Sequence, residues 1–236
     1  RKISKSKGNG ITIDEWLQYA PLESLAFYMY QAPRKAKKLY FDVIPKSVDE
    51  YIAFLNKFHT SSEKEQIDNP VAHIHNFKVP KYELHGLTFN LLLNLASACN
   101  PTDHNILFGF ISKYAKDFNP AKDKFVCLLS SYAMKYYATF IKPNKIYKIP
   151  TTDEKKLLSN IKESLTKLPK TASATDIQNA IYAIAKTANY RNMRDFFLMV
   201  YETLLGQKEG PRLGSFVLLY GIDKTIELID STLTKQ

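Results

Sequence analysis

The densest chemistry in the chain lies at its start, in Lys2-Ile3-Ser4-Lys5-Ser6-Lys7-Gly8-Asn9-Gly10. The ammonium groups of Lys2 and Lys5 can neutralise phosphate oxygens as point charges. The hydroxyls of Ser4 and Ser6 and the exposed backbone N–H groups donate to the same oxygens, and the glycines let the backbone come close. This set suits the stabilisation of a triphosphate while charge builds on a departing pyrophosphate. A solvated basic tail has the same composition, so the segment gains its meaning only together with the residues downstream of it.

Other constellations are weaker. Arg34-Lys35-Ala36-Lys37-Lys38 is a cationic run after a helical stretch and suits either backbone phosphates or a solvated turn. His73-Ile74-His75, with His85 nearby, invites a metal reading. The i, i+2 spacing fits a strand better than a helix, and no Cys or carboxylate completes a zinc set, so no metal site is expected. Phe125, Leu129, Tyr132, Tyr136 and Phe140 form a helical stripe that reads as packing rather than as a base-stacking platform, while Tyr137 and Lys135 beside it remain open to RNA. Cys99 and Cys127 sit in apolar helical contexts and read as buried thiols of a reducing compartment. No P-loop or dinucleotide fingerprint occurs.

The elements that must position these residues are helical. Thr12 and Glu15 have capping-box spacing ahead of Trp16-Leu17. Helices are predicted over 21–31, with Pro21 in the first turn, and over 47–58, where Val48, Tyr51, Ile52 and Leu55 follow the i, i+3, i+4, i+7 pattern. The stretch 87–98 is apolar nearly all round and should be a buried central helix. Further helices are expected over 103–115, and from Asn119, with Pro120 at the first position, to about Ile141. Thr151 and Glu154 form a second capping-box pair, opening a helix to Lys167. Ser173, Asn192 and Arg212 start three more, and Gly221 separates the third from a last helix over 222–233. Tyr40-Phe41-Asp42-Val43 is the one stretch read as a strand. The proline-bearing 142–150 is the expected linker, with a softer break near 60–80, and no internal repeat is seen.

Of 236 residues, 45% are hydrophobic and 13% aromatic, which excludes disorder and supplies a core for one large or two to three small domains at roughly 100–200 residues each. No apolar run approaches the roughly 20 residues of a membrane span, and no signal peptide is visible. The net charge is 33 − 23 = +10, unevenly placed. Residues 1–48 hold nine basic and four acidic side chains, 49–112 four and seven, and 113–150 eight and two. Two basic blocks around an acidic one fit a polyanionic partner. The chain begins at Arg1 rather than Met, and a fragment of a longer protein is expected.

Lys2-Ile3-Ser4-Lys5-Ser6 resembles the KMSKS signature of class I aminoacyl-tRNA synthetases, with Ile3 in place of Met. Trp16-Leu17, Tyr19-Ala20-Pro21-Leu22-Glu23-Ser24-Leu25, Ile44-Pro45-Lys46, Val48-Asp49-Glu50-Tyr51, Asn90 to Ser97 and Gly210-Pro211-Arg212-Leu213-Gly214-Ser215-Phe216 are similar, in that order, to class I lysyl-tRNA synthetases. The resemblance implies an all-α chain lacking the family's Rossmann catalytic domain. It implies a loop and stem-contact region over 1–60, a helical bundle over 61–142 and a helical-cage anticodon-binding domain over 151–236. Lys2 and Lys5 would be catalytic, and Lys2, Ser4, Lys5 and Ser6 would contact ATP, with Mg2+ as its companion in the intact enzyme. The family often carries Ser where Lys5 stands, which leaves the division of labour between the lysines open. Arg34, Lys35, Lys37 and Lys38 would track tRNA phosphates, and Tyr190, Arg191, Arg194 and Arg212 would meet anticodon bases. Each arginine, taken singly, suits a capping or salt-bridge role at least as well. The implied partners are lysine-specific tRNA, ATP and lysine, in the cytoplasm and with no membrane, and the fragment alone is expected to be inactive. The competing readings are the equivalent part of a glutamyl-type class I synthetase and a non-catalytic helical RNA-binding or scaffold protein.

Overall fold

A computed structural model describes residues 10–31, 33–34 and 39–234. All regular structure among them is helical. In chain order the helices are α1 (Ile13–Leu17), α2 (Leu22–Tyr30), α3 (Val43–Phe58), α4 (Glu63–Asp68), α5 (Pro70–Ile74), α6 (Phe89–Cys99), α7 (His104–Tyr114), α8 (Lys124–Tyr136), α9 (Thr152–Lys167), α10 (Ala174–Thr187), α11 (Met193–Leu204), α12 (Leu213–Tyr220) and α13 (Ile222–Leu233). The chain divides into two compact units, one of residues 1–92 and 120–136, the other of residues 93–119 and 137–236.

In the first unit α2, α3 and α5 pack on one another. Trp16, Phe27, Ile44, Val48, Val71 and Phe89 are fully buried there, and Tyr51 and Leu55 nearly so. The stretch expected as a strand is instead a turn, with Val43 N–H bonded to Tyr40 C=O and Ile44 N–H to Phe41 C=O, leading into α3 four residues before the predicted start. Pro45 favours this early start, because a first-turn residue needs no N–H partner. Asp49 of α3 caps α6: its carboxylate accepts from Phe89 N–H at 2.5 Å and from the Asn90 N–H and amide at 3.1 and 2.6 Å. The helix expected from Pro120 begins only at Lys124. Asp123 takes the cap position, its carbonyl accepting the Cys127 N–H, while 120–122 turn.

In the second unit α10 lies on α12, and α9 on α13 and α10; α12 also meets α7 and α13. The helices α9, α10 and α11 start at the predicted caps. Thr151 with Glu154 and Ser173 with Asp176 form full capping boxes, and Asn192 accepts from Asp195 N–H. The expected linker is a π-helical turn over Tyr137–Ile141, a 3-10 turn over Lys142–Asn144 and then extended chain. The π turn ends at the residues just ahead of Pro143, which cannot donate to the helical ladder. Gly221 supplies the left-handed φ of 99° that turns α12 into α13.

Candidate functional site

Lys2, Ser4, Lys5 and Ser6 lie outside the described residues, as do Lys35, Lys37 and Lys38. What is described is the frame that holds the ends of both segments. Thr12 Oγ1 accepts from Glu15 N–H at 3.1 Å, and the Glu15 carboxylate accepts from Thr12 N–H at 2.6 Å, so the capping box predicted behind the loop is complete. One residue earlier, Ile11 N–H donates to Leu39 C=O at 3.0 Å. That bond joins the downstream ends of the two basic segments, which are distant in sequence. Arg34 is exposed in the turn after α2.

Behind this junction sits Trp16, wholly buried. Its indole N–H donates to Ser24 Oγ at 3.1 Å, and the Ser24 hydroxyl donates to Pro21 C=O at 2.6 Å. The Trp16 ring packs at 5.7 Å from that of Tyr28. A five-residue helix is too short to persist alone, so α1 is held by this buried anchor rather than by propensity.

In the second unit Tyr190, Arg191 and Arg194 share the loop and first turn between α10 and α11, and Arg212 occupies the cap position of α12. The three arginines are exposed and Tyr190 is half-buried. The hydroxyl of Tyr190 donates to Glu154 at 3.2 Å, and its ring lies edge-on to Phe196. Glu154 also accepts from Lys148 Nζ at 2.5 Å and from Thr151 N–H at 2.9 Å. Burial pushes the Glu154 carboxyl up, but Lys148, Thr151 and Tyr190 together hold it below its usual range. Burial and the Glu154 charge push the Tyr190 hydroxyl up to about 12. Lys148 is fixed by an extended strap that bonds to the end of α11 and the turn after it, Lys148 N–H to Glu202 C=O at 3.1 Å and Ile146 N–H to Gly206 C=O at 3.0 Å. The capping box showed Glu154 as a helix start. Nothing in the local sequence showed that it also fixes Lys148 and a tyrosine of the candidate surface.

Arg212 is positioned by its glycines. A Cβ at Gly210 would collide with the ring of Tyr201, whose hydroxyl donates to Pro211 C=O. A Cβ at Gly214 would collide with the Ala174 carbonyl and come within 2.9 Å of Gln178 N, where Gly214 N–H now donates to Gln178 Oε1 at 2.7 Å. Bare backbone at 210 and 214 therefore lets α12 sit against the start of α10.

The histidines separate. His75 Nε2 meets the Tyr51 hydroxyl at 2.9 Å, His85 Nε2 meets Asp123 at 3.0 Å, and His73 Nε2 meets Ile67 C=O at 2.8 Å. Tyr137, left open to RNA in the sequence, is buried with its hydroxyl on Asn100 Oδ1 at 3.0 Å. Of the aromatic stripe, Leu129 and Tyr136 are buried and Phe125 stacks on Tyr82 at 4.1 Å, as packing residues do.

Residues 1–78 match the family model of class I (K) tRNA synthetases. Over 233 residues the chain is 49% identical to a lysine–tRNA ligase of Rickettsia bellii (strain OSU 85-389), covering 98% of this chain and 45% of that protein. It is likewise 49% identical to a lysine–tRNA ligase of Rickettsia felis, over 98% of this chain and 44% of that one. For a lysine–tRNA ligase of Rickettsia conorii the identity is 48% over 234 residues, 99% of this chain and 45% of that protein. The chain thus spans less than half the length of these curated relatives.

Proposed function

We propose that the chain is the part of a class I lysine–tRNA ligase that carries the KMSKS-type loop and grips the tRNA. The observation that carries this reading is the identity of 49% across 98% of the chain to relatives named lysine–tRNA ligase. In the intact enzyme lysine is activated by ATP, accompanied by Mg2+, and passed to the 3′ end of lysine-specific tRNA. Two ammonium groups and two hydroxyls form a donor set that suits a triphosphate. Lys2 and Lys5 neutralise the charge growing on the leaving pyrophosphate, and Ser4 and Ser6 shape the loop. The rigid Trp16 anchor and the Ile11–Leu39 bond support this role, because charge stabilisation works only from a fixed position.

Arg34, Lys35, Lys37 and Lys38 track stem phosphates. Tyr190, Arg191, Arg194 and Arg212 face the anticodon from a helical domain over 151–236, and the bundle over 61–142 comes, in sequence, between that domain and the loop region of 1–60. The setting is the cytoplasm; among the described residues no helix is long and apolar enough to cross a membrane.

Binding of a lysine tRNA transcript to the 236-residue chain at low ionic strength tests the reading. Affinity is expected to fall with salt and with replacement of the lysine anticodon, and failure to bind at low salt overturns it. The chain alone is expected to show no ATP–pyrophosphate exchange. In the full-length ligase, Lys5→Ala should slow adenylate formation about 10²–10³-fold while sparing tRNA affinity, the mark of a group that acts on the transition state.

A further inference from the structure

The end of α5 is strained. Asn76 and Phe77 are both left-handed, at φ 49° and 60°. The conformation closes α5 through a Phe77 N–H bond to Ala72 C=O at 2.6 Å. Asparagine tolerates it, but a residue with a bulky side chain seldom does, and glycine would close the helix more easily. Packing does not account for the choice, because Phe77 is 59% exposed.

What the strain achieves is an aromatic array. The Phe77 ring stands edge-on to His73 at 5.3 Å, and His73 lies flat on Tyr30, 5.6 Å between centroids and 12° between planes. Tyr30 is 45% exposed, and Met29, its neighbour in sequence, and Ile67 are exposed as well. The imidazole cannot swing away: its Nε2–H donates to Ile67 C=O. The Tyr30–His73 stack ties the end of α2 to α5, elements that also pack together.

The sequence around these rings is mainly basic, with Asp68, next to Ile67, the nearest acid along the chain. Residues 24–41, which supply Tyr30, contain Arg34, Lys35, Lys37 and Lys38 and no acid. Residues 69–82, which supply His73 and Phe77, contain Lys78 and Lys81 and no acid. Exposed flat rings carried by cationic stretches of sequence match an unpaired nucleobase with its flanking phosphates better than an apolar protein segment, which would offer the lysines no anionic partner.

We infer that Tyr30, His73 and Phe77 form a stacking platform for an unpaired base of bound RNA, and that the left-handed backbone at Phe77 is kept to hold its ring there. This rests on the proposed tRNA-binding function and adds base contacts to a surface otherwise assigned phosphate contacts alone.

The test uses the 236-residue chain with Phe77→Gly and Phe77→Tyr. Phe77→Gly relieves the strained conformation, so it should unfold no earlier than wild type. It should bind lysine tRNA and an oligoadenylate about 10-fold more weakly, with an unchanged salt slope, the size expected for one stacked base. Phe77→Tyr should bind as wild type does. A base-free ribose–phosphate oligomer of equal length should not distinguish the three proteins. Wild-type binding that Phe77→Gly leaves intact overturns the platform but not the tRNA reading, and leaves the rings to a protein partner. Absence of wild-type binding at low salt overturns both.

Discussion

The two glycines Gly214 and Gly109 allow one chemical change to be made twice with opposite results. At Gly214 an added methyl meets Gln178 Cβ at 2.8 Å and Gln178 N at 2.9 Å, besides the Ala174 carbonyl. Carbon contacts relax at about 3.5–4.0 Å, so α12 must lift from α10 by a large fraction of an ångström. Overpacking of this kind costs about 1–3 kcal/mol. Lifting α12 also stretches the buried Gly214 N–H bond to Gln178, whose loss costs about 1–3 kcal/mol more. Gly214→Ala should therefore destabilise the second unit by about 2–6 kcal/mol. At Gly109, in the exposed middle of α7, nothing lies within 4 Å of the added methyl. There alanine should stabilise by about 0.5–1 kcal/mol, through helix propensity alone. Thermal unfolding followed by far-ultraviolet circular dichroism should separate the variants by on the order of 10 °C. Equal midpoints, or Gly214→Ala the more stable, would refute the reasoning that bare backbone at 214 sets the α10–α12 approach.

Three further outcomes rest on buried or half-buried groups. Glu154→Gln keeps the capping geometry but loses the carboxylate charge that faces Lys148, and should cost about 1–2 kcal/mol at pH 7. Because the Glu154 carboxyl is held below its ordinary 4.5, its contribution is complete above that pH and fades as pH falls through the lowered value. Denaturant titrations should show wild type and variant converging in acid, and a constant gap would contradict the assignment. Ser24→Ala strands the Trp16 N–H in a dry site and should cost about 1–3 kcal/mol, read directly because Trp16 is the single tryptophan. Burial pushes the Cys99 thiol up to about 12, so iodoacetamide at pH 7.5 should modify Cys99 only after denaturation, as peptide mass spectrometry would report.

What the sequence made legible was local. Caps are written within four residues, and Thr12, Thr151, Ser173 and Asn192 open helices where they were expected. The buried run of α6 was equally plain, because a helix apolar on all sides has one place to go. The false strand at 40–43 and the false cap at Asn119 arose where a local preference met a stronger neighbour: Pro45 pulled a helix start forward, and Asp123 displaced one. Long-range partnerships had no local trace. Glu154 announces a capping box to its own helix, yet its bond to Tyr190 spans 36 residues. His73 was visible only as a poor metal ligand, since its stack with Tyr30 depends on where α5 meets α2.

The segments that carried the family resemblance acquire a physical meaning from these partnerships. Trp16 and Ser24 make a buried bond that fixes the chain at α1, just behind the basic loop in sequence. Gly210 and Gly214, without side chains, admit the Tyr201 ring and the α10 backbone, and so hold Arg212 at the head of α12. Asp49 directs its charge at the N–H groups of α6. Motif letters that look like chemistry are here mostly instructions for placement. The described residues proposed to touch tRNA, Arg34, Tyr190, Arg191, Arg194 and Arg212, stand at or beside the ends of elements that those letters hold in register. A substitution at Gly214 should therefore damage the proposed tRNA recognition through Arg212 without removing one cation from the surface.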